Sequence, residues 1–277
     1  MSFDLHVHSN RSDGAFPPAE VVRRAKTVGL EGIALTDHDT LDGYEEATTA
    51  GRELGLEVLP GCEVSTSHND GPVHMLALFV DPSHERLRSE MARLQDDRIE
   101  RAQAMVARLN ELGVGVSFER VAEIAGQASV GRPHIAQAMV ELGIVRKTPD
   151  AFTDEWIGNK GRAYVERHSL APLEAVALIR EAGGSAVLAH PIWTVKDESL
   201  TESDIEDLAA AGLAGIEVDH PDHDENARRH YAALAKRLDL VPTGSSDWHG
   251  NEHGGMIGSE TTDRARLDRL RDRAGRR

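Results

Sequence analysis

The sequence predicts an α/β protein built on a mostly parallel sheet, open or closed into a barrel, with a helical insertion. Three observations carry this. Short β-type runs alternate with amphipathic helical stretches, the pattern of βα units. Seven such runs can be counted, which suits a barrel one unit short of the usual eight. The alternation stops between about residues 83 and 168, where only helical patterns occur.

Taken in order, the β-type runs are 3–7, 32–36, 57–64, 73–80, 185–189, 215–218 and 240–244. Amphipathic stretches at 18–28, 44–54, 172–182, 202–211 and 225–238 fall between most of them. The pair 57–64 and 73–80 breaks the rhythm. Its connection, Ser67-His68-Asn69-Asp70-Gly71-Pro72, has turn chemistry and reads as a hairpin, so the second strand should run antiparallel to the first. From residue 83 a long polar helix is expected over 84–112, then shorter ones over 118–125 and 133–142, then a loop holding Gly158-Asn159-Lys160-Gly161-Arg162. The expected organisation is therefore a barrel of 1–82 with 169–277, and an inserted helical cap domain of 83–168. Insertions at the C-terminal rim of a barrel usually cover the site. The tail from Arg264, rich in Arg and Asp, reads as an exposed, fraying helix.

With 277 residues, 40% of them hydrophobic, the chain can bury a large core. The formal charge of −16 makes a bare surface that repels phosphate backbones, so duplex DNA binding is not expected. An anionic substrate then needs local positive charge, which bound metal ions can supply. Cys62 is the single cysteine, so no intramolecular disulfide can form. The first residues lack the basic and apolar regions of a secretion signal, and no run approaches the ~18 apolar residues of a membrane span. The expectation is a cytoplasmic protein with no membrane partner.

Most of the expected strands end in a potential metal ligand. The first runs into Asp4-Leu5-His6-Val7-His8, and residues i and i+2 of a strand share a face, so both imidazoles point the same way. Asp13 follows in the next loop. The second strand ends Thr36-Asp37-His38-Asp39, the third near Glu63, the fifth at Leu188-Ala189-His190-Pro191 and the seventh at Ser245-Ser246-Asp247-Trp248-His249. His74 starts the fourth strand, and antiparallel pairing brings it beside the end of the third. One such residue alone is most simply a core histidine, a helix cap (Asp37, Asp39) or a rim salt bridge (Glu63). Nine groups at one barrel mouth are harder to explain that way. Unpaired buried imidazoles and carboxylates cost several kcal/mol each, on the order of what a metal ion offsets. Six imidazoles and three carboxylates exceed the coordination of one ion and suit two or three divalent ions. Mn²⁺ is favoured, with Fe²⁺ or Zn²⁺ as alternatives. Cys62 faces away from Glu63's side of its strand and reads as a small core residue.

The insertion adds positive charge. Arg98 and Arg101 lie on the long helix, Gly131-Arg132-Pro133-His134 opens another at an N-terminus suited to anions, and Lys160 sits in the glycine-containing loop. For each alone a solvated surface role is as good a reading. Together with Arg98 and Arg162, the residues Arg101, Arg132, His134 and Lys160 suggest phosphate clamping, Arg132 and His134 most because they sit at a helix start. After the sixth strand, Asp219-His220-Pro221-Asp222-His223 sits on the same rim, and His220 is a candidate substrate contact.

These motifs resemble those of the PHP (polymerase and histidinol phosphatase) family: Asp4-Leu5-His6-Val7-His8-Ser9 with Ser12-Asp13-Gly14, then Thr36-Asp37-His38-Asp39, Gly61-Cys62-Glu63, His74, Leu188-Ala189-His190-Pro191 and Ser246-Asp247-Trp248-His249. They span almost the whole chain and fill every ligand position. The insertion with Gly131-Arg132-Pro133-His134 is similar to that of the TrpH-like small-phosphoesterase branch. Some of its members are 3′,5′-nucleoside bisphosphate phosphatases, and some are 5′-to-3′ exoribonucleases on short RNA. The resemblance implies a distorted (β/α)7 TIM-like barrel. It implies that His6, His8, Glu63 and Asp247 hold one ion, that Glu63 bridges to a second held by His74 and His190, and that Asp13, His38 and His249 hold a third. A metal-bridging hydroxide would attack phosphorus, with Glu63, Asp247 and His190 as catalytic residues, and Arg101, Arg132 and His134 would bind substrate phosphate.

The expected function is metal-dependent hydrolysis of phosphomonoesters of small nucleotides, 3′,5′-nucleoside bisphosphates first. Exonuclease action on a short RNA end is the near alternative, and histidinol-phosphatase-like activity a weaker one, because an Arg-rich cap suits a doubly charged substrate. Two other classes stay open. An amidohydrolase-type C–N hydrolase also uses His-x-His in a barrel but typically bridges its metals with lysine, where Glu63 stands here. A non-catalytic metal-binding module would not need a full ligand set and cap.

Overall fold

The computed structural model describes residues 2–69, 71–126, 130–166, 169–196, 199–250 and 255–275. Its central sheet runs in the order β7-β6-β5-β4-β3-β2-β1-β8. The strands are β1 (Ser2–Val7), β2 (Gly32–Leu35), β3 (Glu57–His68), β4 (Gly71–Leu78), β5 (Ser185–Leu188), β6 (Gly215–Asp219), β7 (Val241–Gly244) and β8 (Thr262–Asp263). β1, β2 and β3 pair in parallel, as do β5, β6 and β7. β4 is antiparallel to both of its neighbours. The sheet rounds on itself where Val7 bridges Trp248 and the Trp248 carbonyl accepts from His8 N–H at 2.9 Å. The result is the distorted (β/α)7 barrel, its distortion being the inverted β4. An eighth strand, the two-residue β8 on the outer edge of β1, is too short to leave a periodic signal.

The hairpin is longer than its turn-rich sequence suggests. β3 and β4 pair continuously from Gly61↔Leu78 to His68↔Gly71, so residues expected in a loop belong to the ladder, while Asp70 lies outside the described residues. Polar Ser and Thr at 65–67 conceal the strand, because one face there looks into a polar site rather than a core. The pairing Ser65↔His74 puts His74 two ladder positions from Glu63.

Helices cover the sheet: α1 (Pro18–Thr27), α2 (Tyr44–Leu54), α6 (Pro172–Glu181), α7 (Pro191–Lys196), α8 (Glu202–Ala211), α9 (Glu225–Arg237) and α10 (Arg264–Arg273). Helices α3 (Glu85–Glu111), α4 (Phe118–Ala125) and α5 (Arg132–Glu141) make up the insertion. One apolar cluster packs Val21, Val22 and Ala25 of α1 and Ala47 of α2 against Ile33 and Leu35 of β2. Another joins Phe3, Leu5, Leu76, Val187 and Val241 of the sheet to Leu267 and Leu270 of α10. The C-terminal helix is therefore part of the core. Its arginines hid this, but Arg264 and Arg271 are turned to Glu57 while both leucines are fully buried.

The chain divides into two compact units, Met1–Ala92 with Ser169–Arg277, and Arg93–His168. The division falls inside α3 rather than at residue 83. The second unit has its own core, in which Met105 and Leu109 of α3 meet Val121 of α4, Ile135 and Met139 of α5, and Ile157 and Ala163 of the following loop. Among the described residues no helix is long and apolar enough to cross a membrane.

Candidate metal centre

All nine expected ligands belong to the barrel unit, and the structure brings eight of them together in three overlapping groups, with His190 outside these groups but against Glu63. In the first, His6 Nε2 and His8 Nε2 lie 3.2–3.3 Å from Glu63 Oε2 and 3.2 Å from Asp247 Oδ1. In the second, Glu63 Oε1 lies 2.9 Å from His74 Nδ1 and Oε2 3.1 Å from His38 Nδ1, while His190 Nε2 stands 3.0 Å from the same Oε1. In the third, Asp13 faces His8 Nδ1 at 3.4 Å, His38 Nε2 at 3.6 Å and His249 Nε2 at 3.3 Å. Glu63 thus divides its two oxygens between separate sets of imidazoles, which is how a bridging carboxylate is disposed.

The chemistry of this donor set fits divalent ions. His6 Nε2 and His8 Nε2 are buried and have no hydrogen-bond partner, although carboxylate oxygens stand close by. Lone pairs and carboxylates converging without donor–acceptor alignment are the arrangement of ligands around a shared cation. Electrostatics agree. Burial alone would raise the carboxyls, but the surrounding imidazoles outweigh it and hold Glu63, Asp247 and Asp13 well below the carboxylate range. Burial alone would lower His8, but Asp247 and Glu63 outweigh it and push His8 up to about 10. Without an ion, protons on His6, His8 and His249, which the neighbouring carboxylates hold above the ordinary imidazole value against burial, would supply positive charge, while burial keeps His190 low.

A shell of buried carboxylates aims these ligands. Asp4 accepts from Ser246 N (3.0 Å), Ser246 Oγ (2.6 Å) and Gly258 N (2.8 Å). Asp37 accepts from Ser9 N and Oγ and from Ser12 Oγ, all at 2.7 Å. Asp39 accepts from Ser65 N (2.7 Å) and Oγ (2.8 Å). Each clamp ties one ligand-bearing strand end to the next, so Asp37 and Asp39 work across strands rather than as helix caps. Burial pushes Asp4 up to about 6 against these bonds. The backbone bends sharply at the same places: Asp39 (φ 53°), His190 (φ 25°) and Asp247 (φ 50°) occupy the left-handed region that non-glycine residues rarely adopt.

Glu217 carried no functional expectation. It is fully buried in β6, takes His6 Nδ1 at 3.1 Å and His190 N–H at 2.6 Å, and accepts from Ser245 Oγ. By occupying Nδ1 it leaves His6 Nε2 for the site. The signal was there, since an acid inside the otherwise apolar Gly215-Ile216-Glu217-Val218 needs a buried partner.

His220 lies at the same mouth, its Nε2 3.7 Å from Asp247 Oδ2. The Asp222 N–H donates to His220 Nδ1 at 3.1 Å, which assigns the proton to Nε2. The other expected substrate contacts belong to the second unit. There Arg101 and Arg132 both approach the Tyr164 ring, at 5.1 and 5.9 Å. Arg132 also donates to Asn159 Oδ1 at 2.8 Å. His134 Nδ1 accepts from Gly131 N–H at 3.0 Å at the start of α5, and Lys160 is exposed in its loop.

The PHP domain model matches residues 4–114. A 3′,5′-nucleoside bisphosphate phosphatase of Chromobacterium violaceum is 36% identical, over 95% of this chain and 92% of its own. The chain belongs to the PHP family. A 5′-3′ exoribonuclease of Haemophilus influenzae is 31% identical, over 89% of each chain. A solved structure from Bifidobacterium adolescentis, described as a metal-dependent phosphoesterase, has 34% identity and a TM-score of 0.89, covering 98% of this chain and 96% of that one. This PHP protein is accordingly a metal-dependent phosphoesterase, and its His, Asp and Glu clusters are where metal ions can be held.

Proposed function

We propose that this PHP protein removes a phosphate from small nucleotides, 3′,5′-nucleoside bisphosphates foremost, using two or three Mn²⁺ ions. The observation that carries the reading is Glu63, whose two oxygens face separate groups of imidazoles within a nine-ligand set. His6, His8, Glu63 and Asp247 would hold one ion, Glu63, His74 and His190 a second, and Asp13, His38 and His249 a third. Ions in these positions would lower the pKa of water toward neutrality and offset charge developing at phosphorus. His220, with its proton on Nε2, is placed to donate to a phosphoryl oxygen, and Glu217 keeps His6 and the His190 backbone fixed while it does so. Arg101, Arg132, His134 and Lys160 are the proposed contacts for substrate phosphate, on the positive charge gathered around Tyr164. The relative from Chromobacterium supports the substrate class.

Similarity to the Haemophilus exoribonuclease favours a second reading, release of nucleotides from a short RNA 5′ end at the same site. One comparison separates the two. Manganese-loaded protein is assayed on adenosine 3′,5′-bisphosphate, AMP, histidinol phosphate and a 5′-phosphorylated short RNA, with metal content measured in parallel. The expected result is fastest phosphate release from the bisphosphate, with two or three ions per chain. Faster mononucleotide release from RNA would establish the second reading. Turnover of none of the four would overturn both.

A further inference from the structure

Trp193 follows the ligand His190 by three residues, on the first turn of α7, and its N–H bonds the His190 carbonyl at 3.1 Å. The indole lies against the His190 imidazole, with centroids 4.1 Å apart and planes inclined by 32°. His220 stands near-perpendicular to it at 6.0 Å. The indole N–H donates to Asp222 Oδ2 at 3.0 Å. Two neighbours from different elements therefore fix the orientation of the ring, and its one polar atom is satisfied. Yet 37% of the residue stays open to solvent.

That combination asks for a ligand. A tryptophan serving only to pack would bury its large apolar surface, since exposure forfeits the free energy of removing it from water. Here the ring is held rigid and left open beside charged metal ligands. His190 Nε2 is 3.0 Å from Glu63 Oε1, so one imidazole separates the indole from the groups that would face the phosphate. A flat aromatic group joined to that phosphate through a sugar spans this separation. Every nucleobase has a π-face that stacks on an aromatic side chain whatever its hydrogen-bonding pattern. We infer that Trp193 is a stacking platform for the base of the substrate, and a reason this site would prefer nucleotides to base-free sugar phosphates. The inference rests on the phosphoesterase site proposed above and names the part of the substrate that lies beyond the phosphate.

Trp193→Ala and Trp193→Phe would be compared with the unchanged protein, all manganese-loaded, on adenosine 3′,5′-bisphosphate and on ribose 3,5-bisphosphate, which has no base. The expected result is a KM ratio, nucleotide over base-free analogue, that rises roughly tenfold in Trp193→Ala, with Trp193→Phe restoring most of the preference. Equal losses on both substrates would reduce Trp193 to a prop for His190 and overturn the inference, as would no change in the ratio. A binding readout separates this from the hydrolytic reading. AMP, and not ribose 5-phosphate, should quench tryptophan fluorescence in the unchanged protein. That quenching should vanish in Trp193→Phe, where Trp156 and Trp248 remain. Quenching without bisphosphate turnover would leave the platform standing and defeat the proposed substrate. Absence of base-dependent quenching would defeat the platform, whatever the enzyme hydrolyses.

Discussion

Glu217 gathers groups from three strand ends: His6 from β1, the His190 backbone just past β5, and Ser245 just past β7. Burial pushes its carboxyl up, but His6, His220 and His190 outweigh that and hold it down to about 2. It is therefore an anion throughout the working pH range, and a strong acceptor for the His6 Nδ1 proton. Replacing it with Gln keeps the shape but leaves one acceptor oxygen where two accept now, and removes the charge that would make His6 a good ligand. Glu217→Gln should weaken metal binding by roughly 10- to 100-fold, the usual cost of losing a carboxylate behind a ligating histidine. A chelator-competition titration reads this directly, with an unchanged circular dichroism spectrum showing that the fold persists. Unaltered affinity would mean that the backbone alone holds His6. The expectation follows from geometry alone, because the sequence marks Glu217 only as an acid in an apolar strand and does not say which ligand it faces.

At the scale of elements, α10 separates what composition says from what packing does. Its mean character is strongly polar, yet Leu267 and Leu270, three residues apart on one face, are completely buried against β-strand side chains. Leu267→Ala and Leu270→Ala should each destabilise the protein by about 2–5 kcal/mol. Arg269→Ala, on the half-exposed side of the same helix, should stay within about 0.5 kcal/mol. Urea unfolding measures all three, and equal small effects would restore the picture of a fraying tail. The two leucines were readable in principle but outnumbered by charge. The β/α alternation was legible because apolar runs of period two and helical stripes are local signals, and so were the candidate ligands, since His6, His38, His190 and Asp247 sit where runs end. Three things were not. The ladder beyond Val64 was concealed by polar residues facing the site. The two-residue β8 exists only through its partner β1. The short α7, which presents Trp193, has too few residues for any periodicity.

For the whole molecule, the decisive quantity is how a protein of net charge −16 tolerates Glu63 and Asp247 buried, and Asp13 half-buried, within one site. Two compensations are available, protons on the histidines or metal ions, and they exclude one another because a ligating imidazole must be neutral. Metal uptake should therefore release protons. The signs for stability follow. Glu217, lowered from 4.5 to about 2, contributes stability that is present above its ordinary value and lost as pH falls toward 2. His8, raised from 6.5 to about 10, contributes stability that is complete below 6.5 and lost as pH rises toward 10. In metal-free protein, raising the pH through that upper window strips the imidazolium and leaves the carboxylates facing one another. In loaded protein the same rise only favours the ligands. The difference in Tm between manganese-loaded and chelator-treated protein should then widen between pH 6.5 and 10. An ion present at about 100 times its Kd adds roughly 2.7 kcal/mol, a shift on the order of 5 °C or more for a chain of this size. Calorimetric scans at four or five pH values across the window, each with and without chelator, give the comparison. Parallel Tm curves would mean that the histidines are not the charge reserve of the empty site, and that the cluster is held together by the Asp–Ser clamps alone.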